Sequence, residues 1–335
     1  MQTFSHCAGK FSLASAILCL LTLGAASTNA QTVVATIPTT SNPGGIAIDS
    51  NAGLAYVAIN GQGTVDVISE TTNTIVGTIS VGQDAESVAV NPKTSRLYVA
   101  DSYTGDVYVV NTKNGHLVAT IPSLQVAWLA LNPVTNTIYG SNFGNTVYVI
   151  DGATNAVTAS ISVLSAQELA VNPATNKIYV STGDPDAAIL TVIDGNTNQV
   201  VTNINIPGSA NTLYVGVDAA HNLIYASNAN NTGDTAGSIG VINGANNTVV
   251  TSINIPGEPS DVAPDPATRR VYVNNFNLNE VQIVNGVTNR LTGDTVPTGT
   301  NPSTSAIDTQ RHLLYVANFG SDSVTVISTQ SSNSN

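Results

Sequence analysis

Residues 168–204 hold two related stretches, Glu168-Leu-Ala-Val-Asn-Pro-Ala-Thr-Asn-Lys-Ile-Tyr-Val-Ser181 and Ile189-Leu-Thr-Val-Ile-Asp-Gly-Asn-Thr-Asn-Gln-Val-Val-Thr-Asn-Ile204. Each is a pair of short runs in which apolar and polar residues alternate, joined by a turn rich in Asn, Pro, Asp or Gly. Alternation of period two, enrichment in β-branched residues and a turn signal about every ten residues describe four antiparallel strands. Pro presets φ for the turn, and Asn or Gly tolerates the positive φ that a tight hairpin needs. No stretch shows helical periodicity.

The unit recurs along the chain. Tyr56, Tyr98, Tyr139, Tyr179, Tyr225, Tyr272 and Tyr315 occupy equivalent places, 42, 41, 40, 46, 47 and 43 residues apart. Four short strands at this period make a propeller blade, because a small twisted sheet buries its faces only against neighbouring copies. The expected fold is therefore an all-β, seven-bladed β-propeller of four-stranded antiparallel blades. After Val324-Thr-Val-Ile327 the last copy has no fourth strand and runs into Ser, Gln and Asn. Thr32-Val-Val-Ala-Thr-Ile-Pro38 matches the fourth strand of the fifth copy, Thr248-Val-Val-Thr-Ser-Ile253. This segment is expected to complete the last blade and hide two open sheet edges.

The 335 residues are 42% hydrophobic and only 9% charged, which excludes a disordered chain. Nine Lys and Arg against 21 Asp and Glu give a net charge of −12, which argues against a nucleic-acid partner. Residues 1–30 read as a signal peptide: Lys10, an apolar run from Phe11 to Ala26, then Thr28-Asn29-Ala30 as the cleavage signal. Cleavage after Ala30 leaves no transmembrane segment in the mature chain and predicts export to the periplasm, cell surface or medium. It also removes Cys7, Cys19 and one lysine, so the mature charge becomes −13 and disulfides or thiolate chemistry drop out. The propeller spans 31–328, and residues 329–335 read as a disordered polar tail.

The repeats resemble those of the YVTN-family β-propellers, whose strand motif stands here as Tyr315-Val-Ala-Asn318 and, less faithfully, Tyr272-Val-Asn-Asn275. The resemblance covers nearly all of 32–328. It implies the propeller fold and an exported or surface protein, and it names no activity, since propellers host binding, scaffolding and several chemistries.

Counting back four residues from the Asn or Asp that opens each first turn gives the residue at which every inner strand starts: Gly45, Ser87, Trp128, Glu168, Tyr214, Asp261 and Thr304. Two residues further in lies a small ring, Ala47, Ala89, Ala130, Ala170, Gly216, Ala263 and Ala306, where seven strands converge. Packing alone does not ask for Trp128, Glu168, Tyr214 and Asp261 on four consecutive blades. They are the candidate ligand-binding mouth of the central channel. Aromatic faces with carboxylates suit a sugar, a cation or a peptide amine, and burial raises a carboxyl pKa. The competing reading makes Trp128 and Tyr214 packing plugs and leaves Glu168 and Asp261 solvated at the rim. The long loops Gly183-Asp-Pro-Asp186 and 228–237 are placed over this side.

No cofactor is expected. The alternative is a metal site from Glu86, Glu168, Asn211 and Asp261, which would make the protein a metal-dependent hydrolase or lactonase; separately, Asp184 and Asp186 with Glu168 offer oxygens for calcium or else form a solvated turn. His116, His221 and His312 fall in turns on the opposite face, away from any base role. The chain contains no G-x-S-x-G, phosphate-loop or H-E-x-x-H motif. The leading expectation is a non-catalytic binding or surface-interaction module for a cell-surface, glycan or peptide ligand. A purely architectural ring is the third reading. The seven tyrosines read as core, and Asn142, Asn228, Asn275 and Asn318 as turn caps.

Overall fold

The computed structural model describes residues 31–183, 188–207, 212–228 and 236–330. Among these are strands β1–β28, numbered in chain order, in seven separate four-stranded antiparallel sheets. The inner strand of each blade is β2 (Pro43–Asp49), β6 (Ala85–Asn91), β10 (Trp128–Asn132), β14 (Ala166–Asn172), β18 (Thr212–Asp218), β22 (Pro259–Asp265) or β26 (Pro302–Asp308). Blades 1 to 6 each run outward through four consecutive strands. Inner strands pack each against the next, and β26 returns to β2, so the ring closes. The one helical element among the described residues is a 3-10 turn at Phe319–Ser321.

Blade 7 is completed as the repeat arithmetic requires. Its order is β1-β28-β27-β26, with β1 (Thr32–Pro38) on the outer edge of β28 (Ser323–Ser328) and β27 (Leu313–Asn318) between β28 and β26. The register runs from Thr32 opposite Ser328 to Pro38 opposite Ser323, with one bulge between Val33 and Ala35. Ile37 is the buried residue of β1, and it lies in the core that joins blade 7 to blade 1, with Tyr315, Val324, Val326, Val57 and Ile59. At the bottom of the same junction, Arg311 Nη1 donates to Ser50 O across 2.7 Å and lies 3.3 Å from the buried Glu70.

The apolar core is divided into seven clusters, one between each pair of adjacent blades. Each repeat tyrosine is buried, at most 1% exposed, in one of them. Some of the phenols also reach the neighbouring blade: Tyr98 OH donates to Gly152 O at 3.2 Å, Tyr272 OH to Thr329 O at 3.4 Å and Tyr315 OH to Asn73 Oδ1 at 3.3 Å. In these three copies packing and one polar bond combine at the position that sets the repeat.

The Asn-Pro-x-Thr-Asn turn has a physical reason at both ends. Its first Asn accepts an N–H from two residues on, as Asn132 does from Val134 (2.9 Å) and Asn172 from Ala174 (3.0 Å). Its last Asn takes positive φ, +54° at Asn136 and +51° at Asn176. The free amide of the first then donates to the last Asn of the next blade: Asn91 to Asn136 (2.7 Å), Asn132 to Asn176 (2.7 Å) and Asn172 to Asn222 (2.9 Å). Blades 2 to 5 are linked along the bottom by this chain of amides. Asn142 and Asn275 cap loops, accepting from Gly144 and Glu258, while Asn318 donates to Ser323 Oγ and Thr325 Oγ1 and ties two strands of blade 7.

Order continues through Thr329, which is buried and whose N–H donates to His312 O at 2.9 Å. The expected signal peptide at 1–30 and the tail residues 331–335 lie outside the described residues, as do Asp184, Asp186, Asn211 and most of the 228–237 loop. No helix among the described residues is long and apolar enough to cross a membrane.

Candidate functional site

Trp128, Glu168, Tyr214 and Asp261 converge on a single cavity of about 330 Å³ at the mouth of the channel, together with Gly45, Ser87 and Thr304 of the other three blades. Glu86 and Asn60 line it as well. Six of the inner strands begin two residues earlier than their first-turn spacing suggests, the exception being β10, which starts at Trp128. In those six, the pairing with the second strand is irregular where the ring residue sits, for example between Ala166 and Leu169, Thr212 and Val215, and Pro259 and Asp261. A bulge re-aims side chains, and here six occur at one level around one opening.

The ring side chains also bind the blades together. Ser87 Oγ accepts from Leu129 N–H (3.2 Å), Glu168 Oε2 from Val215 N–H (3.1 Å), and Thr304 Oγ1 donates to Gly44 O (2.5 Å). Asp261 Oδ2 accepts from Ser305 N–H (2.5 Å) and its hydroxyl (2.7 Å), while Oδ1 takes Val262 N–H (2.7 Å). In each cross-blade bond the partner is on the next inner strand. Asp261 is only 6% exposed, so the solvated-rim reading does not describe it. Its role is to latch blade 6 to blade 7 and to place a negative charge beneath the cavity.

The four unusual blades differ at a second level. Two residues after the repeat tyrosine, blades 3 to 6 carry Ser141, Ser181, Ser227 and Asn274, where blades 1, 2 and 7 carry Ala58, Ala100 and Ala317. Ser141 faces Trp128 and Asn274 faces Asp261 across the strand pair. Ser181 Oγ donates to Glu168 O at 3.2 Å, and Ser227 Oγ accepts Tyr214 N–H at 3.1 Å. Both side-chain atoms of the buried Asn274 lack a hydrogen-bond partner. Polar support therefore accompanies the unusual ring residues blade for blade.

The sequence reading missed the aromatic upper wall. Phe276 and Phe319 line the cavity, and Phe143 meets Trp128 edge to face, ring centroids 4.4 Å apart at 80°. The signal lay in Asn142-Phe143, Asn275-Phe276 and Asn318-Phe319, a recurrent pair at the start of the second-to-third strand loop. These are all the phenylalanines after residue 30. Phe143 is 70% exposed, an unusual expense of apolar surface for a packing residue.

Charge is segregated along the channel axis. Every lysine and arginine after residue 30 sits in a bottom turn or on the strand residue that leaves one: Lys93, Arg96, Lys113, Lys177, Arg269, Arg270, Arg290 and Arg311. His116, His221 and His312 are at that end too, with His221 Nδ1 2.8 Å from Asp218. The mouth end carries Asp84, Glu86, Glu168, Glu258 and Asp261 and no cation.

Proton affinities follow from this confinement. Burial, then the charge of Asp261, pushes the Glu168 carboxyl well above the usual carboxylate range, against the single N–H of Val215. Glu168 keeps some accessible surface, but that surface faces the narrow cavity rather than bulk water. Burial raises Asp261 to about 6, its bonds from Ser305 and Val262 opposing. Burial and the nearby Asp84 raise Glu86 to about 7, while Asn60 Nδ2 donates to it at 2.9 Å. The Tyr214 phenol is pushed up by burial and by Glu168, Asp261, Glu86 and Glu258, so it stays protonated. Around pH 5 Asp261 and Glu86 are mostly protonated, and by pH 8 both carry charge.

Among the described residues, no three His, Cys, Asp or Glu side chains are grouped to hold a metal ion. Glu86, Glu168 and Asp261 share the cavity, whereas the fourth proposed ligand, Asn211, is outside the described residues. No family model and no curated sequence matches the chain. Among solved structures it is similar to Kuenenia stuttgartiensis hydrazine synthase, with a TM-score of 0.77 and 19% identity over 87% of this chain and 96% of that one. At that identity the likeness shows the fold alone, and the chain is a seven-bladed β-propeller.

Proposed function

We propose that the chain is an exported, YVTN-type propeller that works as a non-catalytic binding module, with its ligand seated at the channel mouth. The observation that supports this is the convergence of Trp128, Glu168, Tyr214 and Asp261 on one cavity. Its volume of about 330 Å³ falls at the lower end of the roughly 300–1,000 Å³ typical of small-ligand sites. A mouth filled only for packing needs neither buried carboxyls nor aromatic rings turned into an open cavity.

The test is a calorimetric titration of the purified protein with small glycans, amines and short peptides, paired with metal analysis. Saturable binding without turnover is expected, and Trp128→Ala should weaken it at least about tenfold, about 1.4 kcal/mol. Stoichiometric calcium or zinc that disappears in Glu168→Ala, accompanied by hydrolysis of an ester or lactone, would instead favour the metal-dependent reading. Self-association with indifference to Trp128→Ala would favour the architectural one.

A further inference from the structure

Resting on the binding-module reading, we infer that the ligand is a small organic ammonium ion, its positive nitrogen seated among the rings of Trp128, Tyr214, Phe276 and Phe319 above the mouth carboxyls. Four aromatic side chains line one cavity together with the carboxyls of Glu86, Glu168 and Asp261. Asn60 Nδ2, Ser303 Oγ, Thr304 Oγ1 and Ser305 Oγ donate to Glu86, Ala317 O, Gly44 O and Asp261, while the Trp128 indole, the Tyr214 phenol and the Ser87 hydroxyl can still donate into the cavity. Asn60 Oδ1 is a buried acceptor with no donor. Ring faces beside carboxyls suit a ligand that brings positive charge.

The field has the same sense. Glu86 of blade 2 and Asp261 of blade 6 bring negative charge to the cavity, the raised carboxyl of Glu168 lines it from blade 4, Asp84 acts on Glu86 and Glu258 on Tyr214, and no Lys, Arg or His lies at that end. An anion is repelled. A small hard cation such as calcium wants six or more oxygens at one point, whereas these carboxyls are spread around the ring rather than gathered. A large, weakly hydrated monocation matches spread negative charge and ring faces, the arrangement by which aromatic cages hold quaternary ammonium groups. A neutral sugar gains nothing from the charge segregation.

The chain has a single tryptophan, and it is Trp128, so intrinsic fluorescence reports on this site. Purified protein is titrated at constant ionic strength with choline chloride and with 3,3-dimethyl-1-butanol, which has the same shape with carbon in place of the charged nitrogen. Glucose and sodium acetate are run alongside. Choline is expected to give a saturable change and to bind at least about tenfold more tightly than the alcohol. Its affinity should fall at least about fivefold from pH 8 to pH 5, as Glu86 and Asp261 take up protons. Glu86→Gln should weaken choline and leave the alcohol unchanged, a pattern that loss of folding would not produce. Trp128→Phe, followed by calorimetry, should retain choline binding.

Equal affinity for choline and the alcohol would overturn the ammonium assignment. Saturation by glucose with no response to choline would also overturn it, while leaving the binding-module reading standing. Silence towards all four probes overturns the inference, and if the broader panel of glycans, amines and peptides is silent too, the binding reading falls with it.

Discussion

Deleting residues 32–38 is expected to abolish the cooperative unfolding of the whole ring, a larger effect than the fraying of one edge. β1 supplies the outer strand of blade 7, paired from Thr32 to Pro38 with β28. Its removal forfeits a ladder of backbone hydrogen bonds at about 1 kcal/mol each. It also takes Ile37 from the core between blades 7 and 1, a further loss of about 2 kcal/mol. The sum is several kcal/mol against a total stability of about 5–15 kcal/mol for a native domain. It falls where the first and last strands of the ring are joined. Circular dichroism melts should show a much lower or broadened transition and aggregation through the bared edge of β28. An unchanged melting temperature would mean that the ring closes without β1.

The second large effect is expected at the repeat tyrosines. Tyr272→Ala should cost about 3–5 kcal/mol, the usual range for emptying a buried aromatic site. Tyr272 is fully buried among Val281, Ile283, Val296, Leu314 and Val316, between blades 6 and 7. Tyr272→Phe keeps the ring and loses the 3.4 Å bond to Thr329 O, so a loss of about 1 kcal/mol is expected. Val76→Ala on an outer strand, 58% exposed, should change little and serves as the control. Equal losses in Tyr272→Phe and Tyr272→Ala would show that the phenol bond, rather than the packing, holds the blades. Chemical denaturation read as midpoint and slope separates these outcomes.

The blades were legible because each depends on local signals: period-two alternation, the Asn-Pro and Asp-Gly turns, and one tyrosine per copy. The closing strand was legible because a copy missing at one end reappears at the other. The mouth ring was legible by counting, since its members stand at a fixed distance from a turn that announces itself. What the counting did not reveal was the bulge under six ring residues, because a register shift is a relation between two strands and leaves no fixed residue type. Nor did it reveal the amide chain from Asn91 to Asn222, because a side chain that caps its own turn gives no sign that its second group reaches the next blade.

The aromatic wall escaped for a different reason. Phe143, Phe276 and Phe319 each stand four residues after a repeat tyrosine, but in three blades that are not all neighbours, and only the closed ring brings Phe276 and Phe319 onto one cavity with Trp128. The charge segregation was written plainly in the turns, yet it becomes a field only when every strand direction is known. The solvated reading of Asp261 failed on burial, since its carboxylate is occupied by Ser305 and Val262. These features all concern what one blade does for its neighbour.

That this acidic and aromatic mouth seats an organic ammonium ion is tested most directly by a crystal structure of the protein grown at pH 8 with choline. Ordered density for the ammonium group is expected within about 6 Å of the ring faces of Trp128 and its aromatic neighbours, the reach of a cation–π contact, with a mouth carboxyl beside it. A cavity holding only water under saturating choline, or one filled by Trp128 folded inward, would contradict it.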